Sequence, residues 1–270
     1  MARLESYRVR LMGETKQINA ILRGVEVLNI LAQGISRLED IYPDLGLSKS
    51  TTHRLLRSLV ASGLAFQDPA TRRYYLGPSL LRLASNEQIA HSMLVIFVHE
   101  ELTRLTEITR ESSLIFVPCG VQRMVVKQIR SPLDVSFTFK EGHTSPLYLG
   151  SAGRILLSMM GRNQLEAVLG NLELVRFGPK TITDKEVLKV EIEKARHQGF
   201  AMTFGETQAG TAGISVPVFN YTCPAALCIL GPEFRFSPLD VLEELRKSAD
   251  RISGNLLRIF GNLTRTSNSQ

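Results

Sequence analysis

Up to about residue 109, apart from one short hairpin, the apolar residues of this chain follow a helical period. After that point they mostly follow a strand period. Beyond that point, five runs rich in β-branched and aromatic residues are bounded by Gly, Pro or charged residues, which is typical of strands. These runs are 113–120, 123–130, 135–142, 213–220 and 225–232. Helices are predicted between and after them at 151–160, 163–169, 184–198 and 238–260. The pattern predicts an α+β chain of two domains, the second with a largely antiparallel sheet flanked by helices.

The first domain, predicted over residues 18–77, has three helices followed by a hairpin. The first helix begins at Ile18 and is closed by Gly34, and its apolar stripe comprises Ile21, Leu22, Val25, Leu28, Ile30 and Leu31. A short second helix is expected over 37–42, ahead of Pro43. Ser48 suits the N-cap of a third helix, because its hydroxyl can accept from free N–H groups of the first turn. The buried face of that helix is predicted to be Leu55, Leu56, Leu59 and Val60.

Two short strand-like runs, LAFQD and RYYLG, flank the turn PATRR and predict a β-hairpin with Arg72 and Arg73 at or just past its tip. Three helices followed by a hairpin form the winged helix-turn-helix order. In that motif the second helix of the helix-turn-helix lies in the major groove with its N-terminal residues toward the bases. The residues predicted to bind DNA are Ser48, Lys49, Ser50, Thr51, His53, Arg54, Arg57, Arg72 and Arg73.

These residue types suit particular DNA contacts. Ser50 and Thr51 are short donors for phosphate or base, and Arg54 can pair with phosphate or bidentately with guanine. A solvated helix face would carry similar charges, but the cap, the hairpin and the charge distribution agree on DNA. The first 85 residues hold 12 basic and 7 acidic side chains, whereas the rest of the chain holds 20 and 19. The basic excess therefore lies in the predicted DNA-binding domain.

Composition and the chain ends bear on compartment. The three cysteines are too few and too scattered for a disulfide scaffold and fit a reducing compartment. No apolar run approaches the ~20 residues needed to span a bilayer, and the start has no signal-peptide h-region. We expect a cytoplasmic protein with no membrane partner. Residues 1–17 are predicted to be a mobile arm and residues 263–270 a disordered tail.

Enzyme signatures are absent from the sequence. It contains no GxSxG, HExxH, P-loop or Rossmann fingerprint. The five histidines are far apart, and Cys223 and Cys228 do not form a CxxC pair, so they are interpreted as small buried apolar residues. We predict no catalytic residue, no metal and no cofactor. The alternative is an enzyme acting on a small organic substrate with an appended DNA-binding module.

The segment GSAGR, residues 150–154, is predicted to open a helix. Free backbone N–H groups and the positive end of the helix dipole make such an N-terminus suitable for an anion. Small residues let a ligand approach the backbone there. A plain tight turn into a helix explains the same residues equally well.

Several segments together resemble the IclR family of bacterial transcription regulators. RGVEVLNILAQG, LSKSTTHRLLRSLVASGLA and YYLGPSLLRLA resemble its DNA-binding domain. EGHTSPLYLGSAGRILLS, GFAMTFGETQAGTAGISVPVFN and AALCILGP resemble its second domain, so the likeness covers roughly residues 20–260. It implies a winged helix-turn-helix, a linker helix at 78–90, and a GAF-like or profilin-like effector-binding and oligomerisation domain at 91–262.

The resemblance also implies an effector site. The matching positions are Ser151, Ala152, Thr203, Thr211, Gly213, Cys228 and Leu230. At Thr203, Cys228 and Leu230 some family members carry acidic or hydroxyl-bearing side chains. The site here would be less polar, which favours a larger, partly apolar or aromatic carboxylate over glyoxylate. Glu206 matches a family position too, but is interpreted as a structural carboxylate. Core packing is likewise the favoured interpretation of Phe116, Met124, Phe137 and Phe139, which could also line a pocket.

The function predicted from these features is a ligand-responsive repressor or activator. Two winged-helix domains would pair through the first helix and the linker, and would read a pseudo-palindromic double-stranded DNA operator. The family commonly forms tetramers through its second domain, so the chain is expected to be a dimer or a tetramer.

Overall fold

The computed structural model describes residues 19–84 and 90–265, which belong to two compact units divided at about residue 86. The predicted mobile arm at 1–17, the start of the first helix at Ile18, and residues 85–89 of the linker lie outside the described residues. The same holds for residues 266–270 of the predicted tail.

The first unit is a winged helix-turn-helix, as predicted. Its elements are α1 (Asn19–Ala32), α2 (Leu38–Asp44), α3 (Lys49–Ala61), β1 (Ala65–Gln67), β2 (Tyr74–Leu76) and α4 (Pro78–Ala84). Ser48 caps α3, and its Oγ accepts the N–H of Thr51 at 3.2 Å. Strands β1 and β2 are antiparallel, with Phe66 opposite Tyr75. Helix α2 continues two residues past the predicted end, with Pro43 inside its last turn.

The core of the first unit lies between the three helices and the hairpin, and includes Val27, Leu31, Ile41, Leu45, Leu56, Leu59, Ala65 and Tyr74. The predicted buried stripe of α1 was partly wrong. Ile21, Leu22 and Val25 are 64%, 46% and 51% exposed, while Val27 and Leu31 are buried. Helix α1 carries apolar residues on more than one side, and periodicity alone does not decide which side meets α3.

The second unit alternates helices with an antiparallel sheet. Its elements are α5 (Ser92–Thr109), β3 (Ser112–Cys119), β4 (Gln122–Ile129), β5 (Thr144–Pro146), α6 (Gly150–Ser158), α7 (Arg162–Asn171), α8 (Lys185–Gln198), β6 (Ala201–Phe204), β7 (Thr211–Val218), β8 (Ala225–Pro232), a 3-10 turn (Pro238–Val241) and α9 (Leu242–Arg265). The six strands lie in the order β5-β4-β3-β8-β7-β6, and every neighbouring pair is antiparallel. This is the sheet flanked by helices that the sequence predicted.

Helices cover both faces of this sheet. On one face, residues of α6, α7 and α8 pack with Leu114, Phe116 and Val125. On the other, α5 and α9 pack with Ile115 and Val117. Because adjacent residues of a strand point to opposite faces, a strand buried on both faces has a continuous apolar run. The sequences of β3, β7 and β8 have this character.

Three predictions for the second unit were wrong. Residues 135–142 are irregular rather than a strand: the N–H of Phe139 donates to the Gln128 side chain at 2.7 Å, and only Gly142, at the end of the segment, donates its N–H to a β4 carbonyl, that of Val125 at 2.8 Å. Strands β5 and β6 were missed, since they are only three and four residues long. Helix α9 continues to Arg265, so the first three residues of the predicted disordered tail are helical.

Candidate DNA-binding and effector sites

The exposed face of α3 carries the residues predicted to contact DNA. Ser50, Thr51, His53, Arg54 and Arg57 are all exposed, as are Ser48 and Lys49 just before them. The opposite face buries Thr52, Leu56 and Leu59 in the core. Within residues 19–84 the ion pairs are Arg23–Glu26 and Lys49–Glu39. The guanidinium groups of α3 therefore have no acidic partner in this part of the chain.

A cluster of hydroxyls surrounds the N-terminus of α3. Ser48 Oγ lies 3.0 Å from Ser50 Oγ and 2.9 Å from Thr51 Oγ1. These groups sit at the positive end of the helix dipole, where anions such as phosphate are stabilised. Lys49 Nζ is 3.0 Å from Oε1 of Glu39 on α2, and this hydrogen bond lowers the pKa of Glu39. The charge of Lys49 is therefore partly neutralised by Glu39 and is not fully available to DNA.

The hairpin tip is fixed by Asp68. Its carboxylate accepts the N–H of Ala70 at 2.9 Å and the hydroxyl of Thr71, and its carbonyl accepts the N–H of Arg72 at 2.8 Å. Arg72 has a left-handed backbone with φ 61°, which is uncommon for a residue with a Cβ. Its side chain is exposed, whereas Arg73 is half-buried. The wing therefore presents Arg72 from a well-defined turn.

The second unit contains a cavity of about 130 Å³ at one end of the sheet. It is lined by Arg123, Phe137, Phe139, His143, Leu149, Phe177, Thr207, Gln208, Thr211 and Leu230. Thr211 and Leu230 are the two predicted effector residues on its wall. The wall is thus mainly aromatic and aliphatic, with one cation and a few polar groups.

Arg123 is a buried cation on this wall. It is only 4% exposed, its Nε donates to Ser145 Oγ at 3.1 Å, and its guanidinium carbon lies 4.5 Å from the centre of the Phe116 ring. Among the described residues no carboxylate lies within 4 Å of it. Burial lowers the pKa of Arg123 to about 10. A charge removed from water is costly unless an opposite charge is nearby. The Glu206 carboxylate acts on Arg123 from beyond 4 Å and only partly offsets the effect of burial.

The N-terminus of α6 reaches the same cavity. Gly150 has φ +70°, and a Cβ placed there would lie 3.1 Å from Thr207 Cγ2 and 3.8 Å from Arg123 Nη2. Glycine therefore serves both the turn and the close approach of the helix to Arg123. The N–H of Gly150 donates to the Glu206 carboxylate, which also pairs with Arg154. Burial raises the pKa of Glu206, and Arg154 offsets part of that rise. Glu206 is thus an internal anion at this helix end, consistent with a structural carboxylate.

The other predicted effector residues lie together, but behind the cavity wall. Ser151 Oγ is 2.9 Å from Oγ of Ser215, and Cys228 is opposite Ser215 in the β7–β8 ladder. A Cβ at Gly213 would lie 3.3 Å from Ser151 Oγ, so glycine lets α6 pack closely on β7. Ala152 is fully buried in the core. Thr203, 7% exposed, pairs with Gly213 across β6 and β7. In this geometry the group holds α6 against the sheet.

Sequence reasoning missed six residues of the cavity wall: Arg123, His143, Leu149, Phe177, Thr207 and Gln208. Arg123 directly precedes the apolar run Met124–Val126 of β4, but the others lie in segments without periodicity. The four residues interpreted from the sequence as core or pocket, Phe116, Met124, Phe137 and Phe139, fall into two groups. Phe137 and Phe139 line the cavity, and Phe116 contacts both Phe139 and Arg123. Met124 packs in the core on the opposite face of the sheet.

Comparison with known proteins assigns both units to one family. The family described as IclR helix-turn-helix domain matches residues 20–69, and the family described as bacterial transcriptional regulator IclR C-terminal matches residues 86–254. The chain belongs to the IclR family of bacterial transcriptional regulators. It is therefore a DNA-binding transcription regulator, and the alternative of an enzyme is not supported.

Individual members of the IclR family are similar along most of their length. The HTH-type transcriptional regulator KipR of Bacillus subtilis (strain 168) is 30% identical over 224 residues, covering 80% of this chain and 87% of KipR. The crystal structure of an IclR homolog from Microbacterium hydrocarbonoxydans, complexed with 4-hydroxybenzoate, is 26% identical with a TM-score of 0.58, and covers 88% of this chain and 98% of that one. An IclR-family regulator from Rhodococcus sp. has the same fold, with a TM-score of 0.71 at 24% identity, covering 90% of this chain and 95% of its own.

Two further observations concern the described residues alone. None of their helices is both long and apolar enough to cross a membrane. In the same part of the chain, no three His, Cys, Asp or Glu side chains are grouped so that they could hold a metal ion.

Proposed function

We propose that this chain is a ligand-responsive regulator whose second domain binds a single-ring aromatic carboxylate. The observation that carries the proposal is Arg123, a buried guanidinium on a cavity wall with no acidic partner among the described residues. An anionic ligand would add a counter-charge in direct contact, closer than the Glu206 carboxylate, because a buried charge is stable when it is paired and hydrogen-bonded. The N-terminus of α6 lies beside it and adds favourable dipole potential.

The size and the walls of the cavity support an aromatic ring. Its volume is about 130 Å³, and an apolar cavity of ~150 Å³ in another protein admits benzene. Phe137, Phe139 and Phe177 form apolar walls, and the rings of Phe139 and His143 stack with centres 5.5 Å apart. An IclR homolog complexed with 4-hydroxybenzoate supports the same ligand class. A two-carbon acid such as glyoxylate would leave these apolar walls unfilled.

The proposed effector contacts fall into two groups. Arg123, Thr211 and Leu230 would touch the ligand directly, with Thr207 and Gln208 available to ring substituents. The residues implied by the family resemblance, Ser151, Ala152, Thr203, Gly213 and Cys228, would act from behind the wall by holding α6 on the sheet. A bound ligand would act on this second group of residues only by shifting α6 slightly.

The first domain is proposed to bind a pseudo-palindromic operator through α3 and the wing. Exposed Arg54 and Arg57 on α3, and Arg72 on the wing, support contacts with bases and phosphates. The proposed division of the chain is 18–77 for DNA binding, 78–90 for the linker helix and 91–262 for the effector domain. A cytoplasmic location follows from access to DNA.

Pairing of two copies is proposed to use apolar side chains that the first domain leaves exposed. On α1 these are Ile21, Leu22 and Val25, and on α4 they are Leu81 and Leu83, exposed by 76% and 66%. An exposed apolar surface of this kind is typical of protein interfaces. A two-fold pair matches a two-fold operator, and a tetramer would form through the second domain.

The test uses the full chain and two probes, benzoate and its neutral isostere benzamide. Selection from a random DNA library should enrich a pseudo-palindromic site, and saturating benzoate should change affinity for it about 5–150-fold, the range of a coupling free energy of ~1–3 kcal/mol. Benzamide should have little effect. If benzoate and 4-hydroxybenzoate neither stabilise the protein nor alter operator affinity, the aromatic carboxylate is the wrong class of effector.

A further inference from the structure

Two of the three cysteines lie just beyond the same end of the β3–β8 ladder. In the antiparallel β3–β8 ladder, Phe116 pairs with Ala226, and each step forward along β3 is one step back along β8. Extending this register by three residues puts Cys119 opposite Cys223. Both residues belong to the described part of the chain, and both are reduced thiols here.

The two thiols also lie on the same face. Alternation along β3 puts Cys119 on the side of Val117, and alternation along β8 puts Cys223 on the side of Ala225. Both cysteines are half-buried and pack against the same apolar cluster between the sheet and α5. Directly opposite residues of an antiparallel pair have Cα atoms ~4.5–5.5 Å apart. Disulfides span Cα separations of ~4.4–6.8 Å, so strand pairing continued past Phe116–Ala226 would bring the two cysteines within reach of a bond.

Local backbone structure leaves these positions some freedom to adjust. Between the last ladder pair and the cysteines, the same extension of the register puts Pro118 opposite Pro224, and neither has an N–H to donate to the ladder. Cys119 is the last residue of β3, and Cys223 lies in the segment 219–224 that joins β7 to β8. Neither thiol is therefore held by a continuous β3–β8 ladder.

We propose that Cys119 and Cys223 are a redox-active dithiol that a peroxide oxidises to a cross-strand disulfide. The Cys119 thiolate attacks one peroxide oxygen, the O–O bond breaks, and a sulfenic acid forms with release of an alcohol or of water. The Cys223 sulfur then attacks the sulfenic sulfur, and the hydroxyl leaves as water as the S–S bond forms. Overall, two thiols and one peroxide give one disulfide, one alcohol or water, and one further water.

The order of these steps follows from burial. Burial raises the pKa of Cys223 to about 11, so this thiol is almost wholly protonated at neutral pH, and the first attack is therefore assigned to Cys119. The third thiol, Cys228, lies on the other face of the sheet and is buried in the other core cluster. It is therefore a matched control within the same chain.

The disulfide would also constrain the start of α5. Tyr221, two residues before Cys223, has its hydroxyl 2.8 Å from Nδ1 of His91, which directly precedes α5. The chain that joins the two units enters α5 at this point. Oxidation is therefore expected to change operator affinity. This consequence rests on the proposed function, whereas formation of the disulfide does not.

The experiment treats the full reduced chain with hydrogen peroxide and measures intact mass and free thiols after denaturation. Wild type should lose about 2 Da, the mass of two hydrogens, and its titratable thiols should fall from three to one. Proteolysis without reductant should release a peptide pair joining Cys119 to Cys223. The Cys228→Ser variant should form the same bond, and neither Cys119→Ser nor Cys223→Ser should form an intramolecular bond. In Cys223→Ser, dimedone should trap a sulfenic acid on Cys119.

Several results would overturn the proposal. One is wild type that keeps three thiols after exposure to excess peroxide. Others are a disulfide that includes Cys228, or one formed only between chains. If the Cys119–Cys223 bond forms but oxidised and reduced proteins bind the selected operator equally, the regulatory consequence is wrong and the dithiol stands. If neither form binds any operator while the bond forms, the proposed function has failed instead.

Discussion

Replacing Arg123 with methionine separates ligand binding from structural support. Methionine keeps a long flexible apolar stem and removes the charge. Burial lowers the pKa of Arg123 to about 10, a shift that disfavours the charged form by about 3 kcal/mol, at about 1.4 kcal/mol per pKa unit. Loss of the hydrogen bond to Ser145 and of the contact with Phe116 should cost about 1 kcal/mol each. The ligand-free Arg123→Met protein is therefore expected to be more stable by about 1 kcal/mol.

The same substitution should nearly abolish binding of an aromatic carboxylate. With Arg123 gone, the buried carboxylate of benzoate has no cationic partner, which costs about 2–5 kcal/mol and weakens binding roughly 30- to 5000-fold. Thermal unfolding gives the first quantity, as a rise of about 2–4 °C for each kcal/mol in a domain of this size. Calorimetric titration with benzoate gives the second. Benzamide, which carries no charge, should distinguish wild type from the variant only weakly.

Arg154→Met is the matched control, since Arg154 is also buried but has a partner. Its removal leaves the Glu206 carboxylate buried and unpaired, which should destabilise the protein by about 3–5 kcal/mol. The two arginine variants are thus expected to differ in the sign of their effect on stability. If Arg123→Met binds benzoate as tightly as wild type, or is destabilised by more than about 2 kcal/mol, Arg123 supports the fold rather than a ligand.

Three further predictions concern DNA binding, helix capping and pH. Arg54→Ala should weaken operator binding by about 1–3 kcal/mol and relax base preference. Arg72→Ala should weaken binding to all DNA sequences about equally and reduce the slope of log affinity against log salt by about 1. Fluorescence anisotropy at several salt concentrations checks both, and equal behaviour of the two variants would refute the assignment of Arg54 to bases and Arg72 to phosphates. Ser48→Ala removes the cap of α3 and should cost about 0.5–2 kcal/mol in chemical unfolding, while an unchanged midpoint would show that the cap contributes nothing. Burial alone would raise the pKa of Glu101, but hydrogen bonds from Arg251, Ser248 and Arg104 lower it below its ordinary 4.5. The contribution of ionised Glu101 to folding stability is present above pH ~4.5 and is lost as pH falls through the lowered pKa. Glu101→Gln should therefore cost about 1–2 kcal/mol of folding free energy at pH ~7 and progressively less below pH ~4.5. A cost independent of pH would contradict this.

Local sequence patterns predicted the first domain well because each of its signals acts over a few residues. Ser48 caps α3 through a bond to an N–H three residues away, and the hairpin follows from a turn between two short strands. The choice of buried face on α1 was different. Ile21, Leu22 and Val25 are as apolar as Val27 and Leu31, and only the packing partner α3 decides between them.

The effector domain shows the same contrast at the level of its site. The strands β3, β7 and β8 were predictable, since burial on both faces forces a continuous apolar run. The irregular segment that contributes Phe137 and Phe139 was predicted as a strand, because its composition suits one. Its backbone bonds to the Gln128 side chain, and sequence pattern carries no record of such a contact.

By itself the sequence determined the family, the order of elements in the first domain, and the exposed basic face of α3, because periodicity, capping and charge are properties of neighbouring residues. Tertiary structure alone decided which side chains share a cavity. Arg123 on β4, Thr211 on β7 and Leu230 on β8 meet only when the strands pair, and β8 inserts between β3 and β7, which are far apart in the chain. It also decided that Arg123 lies on the cavity wall with no carboxylate within 4 Å among the described residues, since the charge balance of a buried group depends on neighbours brought together by the fold.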